Sequence, residues 1–418
     1  MSRIAVVGAG IAGLASAWLL SRRHSVTLFE AEGRPGGHTN TVDVTVDGVT
    51  HPVDTGFLVF NDRTYPNLIR MFAHLGVASA PSDMSFSVRI GAGELEWAGT
   101  NLATVFAQPT NLANPRFWRM LRDLARFNRE ATALATSGEP IRGSLGEFLD
   151  ARGFGREVRE WYLLPMAACI WSTPSRQINR FPLATFVEFC HNHGLLAVSN
   201  RPQWRTVAGG GREYVRRILS RLVDVRLATP VRRLRRDEGG VDVLTDAGTE
   251  RYDEVVLATH TDQSLAMLEV PTVEERAVLQ AIPYQPNRAV LHTDAALLPK
   301  RKAAWAAWNF HAQRADASDE PVSLTYLLNK LQPLPFGKPV MVTLNPLDEP
   351  RPDTVFAEFA YDHPAFQEAS DEAKRRVPGL QGRLHTWYAG AWTRYGFHED
   401  GLLSAINVAR GLGVEMPW

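Results

Sequence analysis

Gly8, Gly10 and Gly13 are spaced as Gly-x-Gly-x-x-Gly, directly after the apolar run Arg3-Ile-Ala-Val-Val7 and at the head of a second apolar stretch. The chemistry open to that spacing is the binding of a pyrophosphate. Gly8 permits a tight turn, Gly10 lets the backbone approach the phosphates, and Gly13 lets helix and strand pack closely, with Ala12 in the same turn. The anion then meets free N–H groups and the positive end of a helix dipole. Glu30 ends a second strand, Val26-Thr-Leu-Phe29, about 20 residues beyond the first glycine. A carboxylate there accepts from a ribose diol and repels a 2′-phosphate. Strand, turn, helix, strand and acid together predict a bound ADP moiety, and NAD and FAD both satisfy them. A Gly36-Gly37 pair follows shortly.

Bulk properties narrow the classes. Lys+Arg and Asp+Glu both number 45 in 418 residues, so the formal charge is zero and no nucleic-acid partner is expected. Cys169 and Cys190 are the only cysteines, which predicts a reducing compartment and no disulfide framework. Cys190, His191 and His193 lie together, but no second pair has zinc-site spacing, so no metal is expected. The chain enters a strand at once, without room for a signal peptide, and no apolar run reaches the roughly 18 residues of a membrane span. A cytoplasmic protein is expected.

The elements that must position these residues come in returning blocks. Asp47-Gly48 marks a hairpin, residues 65–75 a helix, and 83–97 a second hairpin around Gly91-Ala-Gly93. Helices are predicted near 115–135, 144–152, 155–170 and 182–193. Gly209-Gly-Gly211 leads into a helix, then strands are expected at 228–234, 241–244 and 254–259 and through most of 287–361. A last strand, Thr386-Trp-Tyr-Ala389, runs into Gly390, and a helix closes the chain from about Asp400. With no linker or repeat, this order suggests a discontinuous nucleotide domain carrying an inserted second domain.

The chain resembles the flavin-containing amine oxidase and phytoene desaturase superfamily, in which the glycine fingerprint is followed by Gly-Gly-Arg-x-x-Ser/Thr. Here the second motif reads Arg34-Pro-Gly36-Gly37-His38-Thr39-Asn40, with His38 where arginine is usual and Arg34 as a substitute charge. Asp54-Thr55-Gly56 stands where the superfamily places a strand beneath the flavin, and Val231 where main chain meets adenine. Gly390, Glu399 and Leu402 belong to a segment resembling the terminal flavin motif, whose helix N-terminus stabilises negative charge on reduced flavin. The resemblance implies noncovalent FAD and an α/β fold. The FAD-binding, Rossmann-like domain is expected from residues 1–62, 200–265 and 380–418, and the inserted α+β substrate domain from 63–199 and 266–379. A second Gly-x-Gly-x-x-Gly is absent from the sequence, so electrons are expected to leave to oxygen, a quinone or another acceptor rather than to NAD.

A narrower resemblance is to bacterial FAD-binding proteins associated with cyclopropane-fatty-acyl-phospholipid synthase, a group that includes desaturases of methyl-branched acyl chains. It is carried by Asp54–Asn67, Ala289–Asp294, Tyr326–Gln332 and Gly396–Gly401. It implies oxidation of a lipid acyl chain and a functional link to that methyltransferase. Amine oxidases place a lysine on a strand of the second domain; the comparable strand, Asn287-Arg-Ala-Val-Leu-His292, has none. An amine oxidase, or a non-catalytic flavin-binding accessory subunit, are the alternatives. His292 and His38 are the candidate bases, because imidazole titrates near neutral pH. Tyr326, Asn329 and Phe397 are the candidate substrate contacts. Arg116, Arg119, Arg122, Arg126 and Arg129 recur beside an apolar stripe of Phe117, Met120, Leu121, Leu124 and Phe127. Such a helix either lies on an anionic bilayer at the membrane's inner face or turns its stripe into the protein core.

Overall fold

The structure is a computed structural model that describes residues 1–171, 175–197, 201–315 and 322–418. Strand Arg3–Val7 lies at the centre of a five-stranded parallel sheet in the order Asp224–Arg226, Ser25–Phe29, Arg3–Val7, Glu254–Leu257, Thr386–Tyr388. Parallel strands covered on both faces carry apolar residues without alternation, and Ile4, Ala5 and Val6 are fully buried. Helix Ile11–Leu20 is buried along its whole length, against the closing helix His398–Gly411 on one side. A Cβ on Gly13 would sit 1.7 Å from the Gly8 carbonyl oxygen, so the close approach of helix to turn requires glycine. Helix Pro66–Leu75 buries Leu68, Met71, Phe72 and Leu75 in the same core as Leu14 and Ala405. That segment, expected in the second domain, thus packs with the dinucleotide unit. The expected junction at 199–200 lies outside the described residues.

The second large element is a seven-stranded sheet in the order Val355–Ala360, Arg288–His292, Met341–Leu344, Ser323–Leu327, Trp308–Ala312, Phe86–Ile90, Leu95–Ala98. Its register sorts side chains into two faces. Phe86, Trp308, Tyr326, Val342 and Leu291 are cross-strand neighbours in one row, and Leu324, Leu344, Ala289 and Phe359 form the next row on that face. Ser87, Asn309, Thr325, Thr343 and His292 point the other way.

The helical block covers the first face. Its pieces are Pro115–Thr136, Leu145–Ala151, Leu164–Trp171 and Leu183–Asn192. The helix expected over 155–170 contains a π-helical turn at Arg159–Leu163, a widening common at functional sites. On Pro115–Thr136, Phe117, Met120 and Phe127 are fully buried, so the apolar stripe faces the protein core and not a bilayer. Arg116 and Arg119 pair with the buried carboxylate of Glu157.

Candidate functional site

One cavity of about 1520 Å³ runs from the glycine turn to the apolar face of the seven-stranded sheet. Small-molecule pockets measure about 300–1,000 Å³, so this one has room for a dinucleotide and a substrate together.

At the first end, Gly8, Gly10, Ala12, Glu30, Gly36, Gly37 and Val231 all face the cavity, as does Arg34. Gly36 and Gly37 are in left-handed backbone, with φ of 118° and 56°, and the Gly36 N–H donates to Ala9 O at 2.8 Å. This lays the second glycine pair across the first turn. A Cβ on Gly10, by contrast, would meet nothing within 4 Å: the space beyond it is open. The Glu30 carboxylate accepts from the Ala9 N–H at 2.7 Å and the Glu32 N–H at 2.9 Å. Arg34 keeps its positive charge on the cavity wall while it also braces the loop. Its guanidinium donates to Thr39 O at 3.1 Å and Gly37 O at 2.9 Å, bracing the glycine loop. His38 Nε2 is buried and has no protein partner, which leaves a polar atom on the cavity wall for a ligand to satisfy. Open space at Gly10, the paired glycine turns and this orphaned nitrogen fit a flavin dinucleotide.

Thr55, Gly56, Gly390, Tyr326 and Phe397 also line the cavity. Thr55 Oγ1 donates to Asn40 O, and Tyr361 OH lies 2.7 Å from it. Tyr326 meets Trp308 edge-on at 4.9 Å, and Phe397 stacks on Phe189 at 5.1 Å.

Other expected contacts are turned away. His292 is wholly buried on the far face of the sheet, its Nε2 2.8 Å from Thr343 Oγ1 and its Nδ1 accepting from the Asp294 N–H. With both nitrogens engaged it is no base for this cavity. Strand alternation is the cause, since Ala289 and Leu291 take the cavity face. Asn329 instead holds a turn, accepting from the Val340 N–H and donating to Phe336 O and Lys338 O. Glu399 accepts from the Asn67 and Leu68 N–H groups and from Asn67 Nδ2, capping helix Pro66–Leu75. Asp54 accepts from the Gly211 N–H at 2.8 Å and from Thr41, fastening the Gly209–Gly211 turn. Thr39 Oγ1 bonds Tyr214 OH and His398 Nε2. Leu402 is core, and Gly13 packs beneath Gly8. His292, Asn329, Glu399, Asp54, Thr39, Leu402 and Gly13 are not part of the cavity lining.

Sequence reasoning missed the company His38 keeps. His363 stacks on it at 5.3 Å, Tyr361 lies at 5.2 Å and His260 at 6.5 Å. His398 stacks on Phe57 at 3.6 Å. Strands and turns far apart in the chain deliver these rings, and no local spacing announces them. Burial, then the neighbouring imidazoles and Arg34, hold His38 well below the usual histidine range. Burial takes His363 down to about 4 and His398 to about 3. His193 and His292, also buried, fall to about 4. The cavity therefore presents neutral imidazoles at pH 7, and His38 is a hydrogen-bond partner rather than a strong base.

A group whose folded pKa is depressed in its neutral form loses stability as pH falls from its unfolded value, about 6.5 for histidine, toward the folded one. Asp54 and Asp400, which burial raises to about 6, act oppositely but are fewer. The thermal midpoint is therefore expected to drop progressively between pH 6.5 and 4. A midpoint flat across that window in differential scanning fluorimetry is the contrary result.

The sequence profile of the flavin containing amine oxidoreductase family matches residues 11–412. A carotenoid phi-ring synthase of Streptomyces griseus is 31% identical over 280 residues, which cover 61% of this chain and 52% of that protein. The chain thus spans about half the length of that relative. A flavin-containing monoamine oxidase, AofH of Mycobacterium tuberculosis, is 25% identical over 94% of this chain and 87% of its own. The solved structure of the CLA-producing fatty acid isomerase from P. acnes superposes with a TM-score of 0.68 at 16% identity, covering 98% of both chains. At that identity the likeness speaks for the fold. Profile, glycine turns and fold agree: the chain belongs to the flavin-containing amine oxidase family and is an FAD-dependent oxidoreductase.

Proposed function

We propose that the protein oxidises a fatty acyl chain, unsaturated, cyclopropane or methyl-branched, by removing two hydrogens to form a carbon–carbon double bond. FAD, held by the glycine turns, would supply the acceptor for the hydride, and the proton from the neighbouring carbon would pass to a nitrogen at the cofactor end, for which neutral His38, with its unpartnered Nε2, is the candidate. The carrying observation is the inner wall. Phe86, Trp308, Tyr326 and Leu344 from the sheet and Met166 and Ile170 from the helix line it, and Asp83, the carboxylate in the same lining segment as Phe86, is paired with Lys330. An acyl chain gains by transfer against these side chains, whereas an ammonium set among them would lose its hydration. The chain's own residues bind and orient. The edge-on Trp308–Tyr326 pair and the Phe189–Phe397 stack narrow the cleft, and its apolar rings exclude water. The likeness to a carotenoid phi-ring synthase supports an apolar substrate.

Amine oxidation is the second reading, favoured by the monoamine oxidase relative that spans nearly the whole chain. Anaerobic mixing of the yellow holoenzyme with phospholipids and then with an amine panel tests both. Acyl oxidation is expected to bleach the flavin with loss of two hydrogens from the lipid mass. Bleaching by amines alone would transfer the assignment to amine oxidation. Bleaching by neither would overturn both substrate readings.

A further inference from the structure

We propose that the face carrying Leu102, Leu112 and Trp118 docks on an anionic lipid surface and presents the cavity to it. These side chains are 78%, 55% and 48% exposed. Scattered exposed hydrophobics need no explanation, but these are contiguous. Phe106 closes the short helix Leu102–Val105 one turn beyond Leu102 and lies 5.3 Å from the Trp118 ring, and Trp118 Nε1 donates to Leu112 O at 2.9 Å.

The rim is basic. Arg122 and Arg129 follow Trp118 at helical spacing along the outer stripe of Pro115–Thr136, and both are exposed. On the other side the turn Lys302–Ala304 packs against Leu102–Val105, with Lys300 and Lys302 exposed beside it. The buried stripe of the arginine helix belongs to the core, so the apolar element offered to lipid is this separate patch. Tryptophan and leucine set among lysine and arginine are the composition of an interfacial anchor that favours acidic headgroups. No helix of the described residues is long and apolar enough to cross a membrane, so the contact is peripheral. Gly99 and Thr100, immediately before the patch, are on the cavity wall, which places lipid beside the opening. The proposal draws its interest from the acyl reading but is measured without turnover, so either can fail alone.

Flotation of the holoenzyme with phosphatidylglycerol-containing and with pure phosphatidylcholine vesicles tests it. Binding is expected to the anionic vesicles and to be lost in high salt. Leu102→Glu/Leu112→Glu and Arg122→Glu/Arg129→Glu are each expected to weaken it more than about tenfold. Val223→Glu, at an exposed site elsewhere, should bind as the parent does. Retained FAD and an unchanged melting curve verify folding of each variant. No binding to anionic vesicles, or patch variants that bind like the parent, overturns the proposal. A concentration-dependent dimer abolished by Leu112→Glu, without vesicle binding, assigns the face to a second copy of the chain and overturns it equally.

Discussion

A Gly10→Val chain is expected to fold with the parent's stability and to purify without flavin, whereas Gly13→Ala fails to fold well. Both positions belong to one fingerprint, yet the physical demand differs. Gly10 has φ −72° and ψ −177°, extended backbone open to any residue, and a Cβ there meets no protein atom within 4 Å. Its glycine leaves room for the cofactor. Surface changes that touch nothing usually stay within about 0.5 kcal/mol, so the FAD-stripped Gly10→Val and parent chains should melt alike. Comparison must use stripped chains because a ligand that binds only the folded state stabilises it. Titrating FAD by fluorescence quenching should then show affinity lower by at least about 2 kcal/mol, the order of an overpacked contact. Gly13→Ala puts a Cβ 1.7 Å from the Gly8 carbonyl oxygen and 3.2 Å from Ala258 Cβ. Gly8 has φ +100° and little freedom to yield, so the cost is expected on the order of 3 kcal/mol or more, shared by the stripped chain. Stoichiometric FAD on Gly10→Val would refute the assignment of that open space to the cofactor.

The second large effect is expected far from the flavin, at Arg236. Its guanidinium makes a bidentate pair with Glu275, at 2.5 and 2.9 Å, and also donates to Val270 O and Thr386 Oγ1. Glu275 further accepts from Tyr388 OH and the Thr272 N–H. The pair joins strand Val231–Asp237, the start of helix Val273–Gln280 and the edge strand Thr386–Tyr388 of the parallel sheet. Both side chains are nearly inaccessible, at 3% and 4%. Arg236→Met strands a buried carboxylate and is expected to cost about 3–5 kcal/mol. Arg236→Met/Glu275→Leu, which removes both charges, should recover more than half of that in chemical denaturation. A double variant no better than the single one would show that something other than the uncompensated charge is lost. Burial works to raise the Glu275 carboxyl, but hydrogen bonds from Arg236, Tyr388 and Thr272 outweigh it and bring it to about 2. Its contribution is thus full above the unfolded carboxylate range, about 4.3, and is lost as pH falls toward 2.

Nothing local in Val231-Arg-Arg-Leu-Arg-Arg-Asp237 distinguishes Arg236 from its neighbours. As a charge run it resembles a solvated strand face, and Arg232, Arg233 and Arg235 are indeed exposed. A bulge between Val231 and Arg233 and the approach of helix Val273–Gln280 select one arginine for burial. His292 shows the same limit. Ala289-Val-Leu-His292 is apolar on both faces, so its alternation does not say which parity faces a ligand; the register with Met341–Leu344 does.

The fingerprint, the acid at Glu30, the Gly36-Gly37 turn and the order of helices and strands were legible because each is decided within a few residues by backbone sterics and hydrophobic period. The cofactor class follows from them together with the family's motifs. Tertiary structure alone decided what lies around the cavity: the histidine rings from positions 38, 260 and 363 near one another, His398 stacked on Phe57, Glu399 and Asp54 turned to helix capping and turn fastening, and the aromatic row Phe86, Trp308, Tyr326 gathered across strands. Such groups meet through long-range register and packing, and neither leaves a period in the sequence.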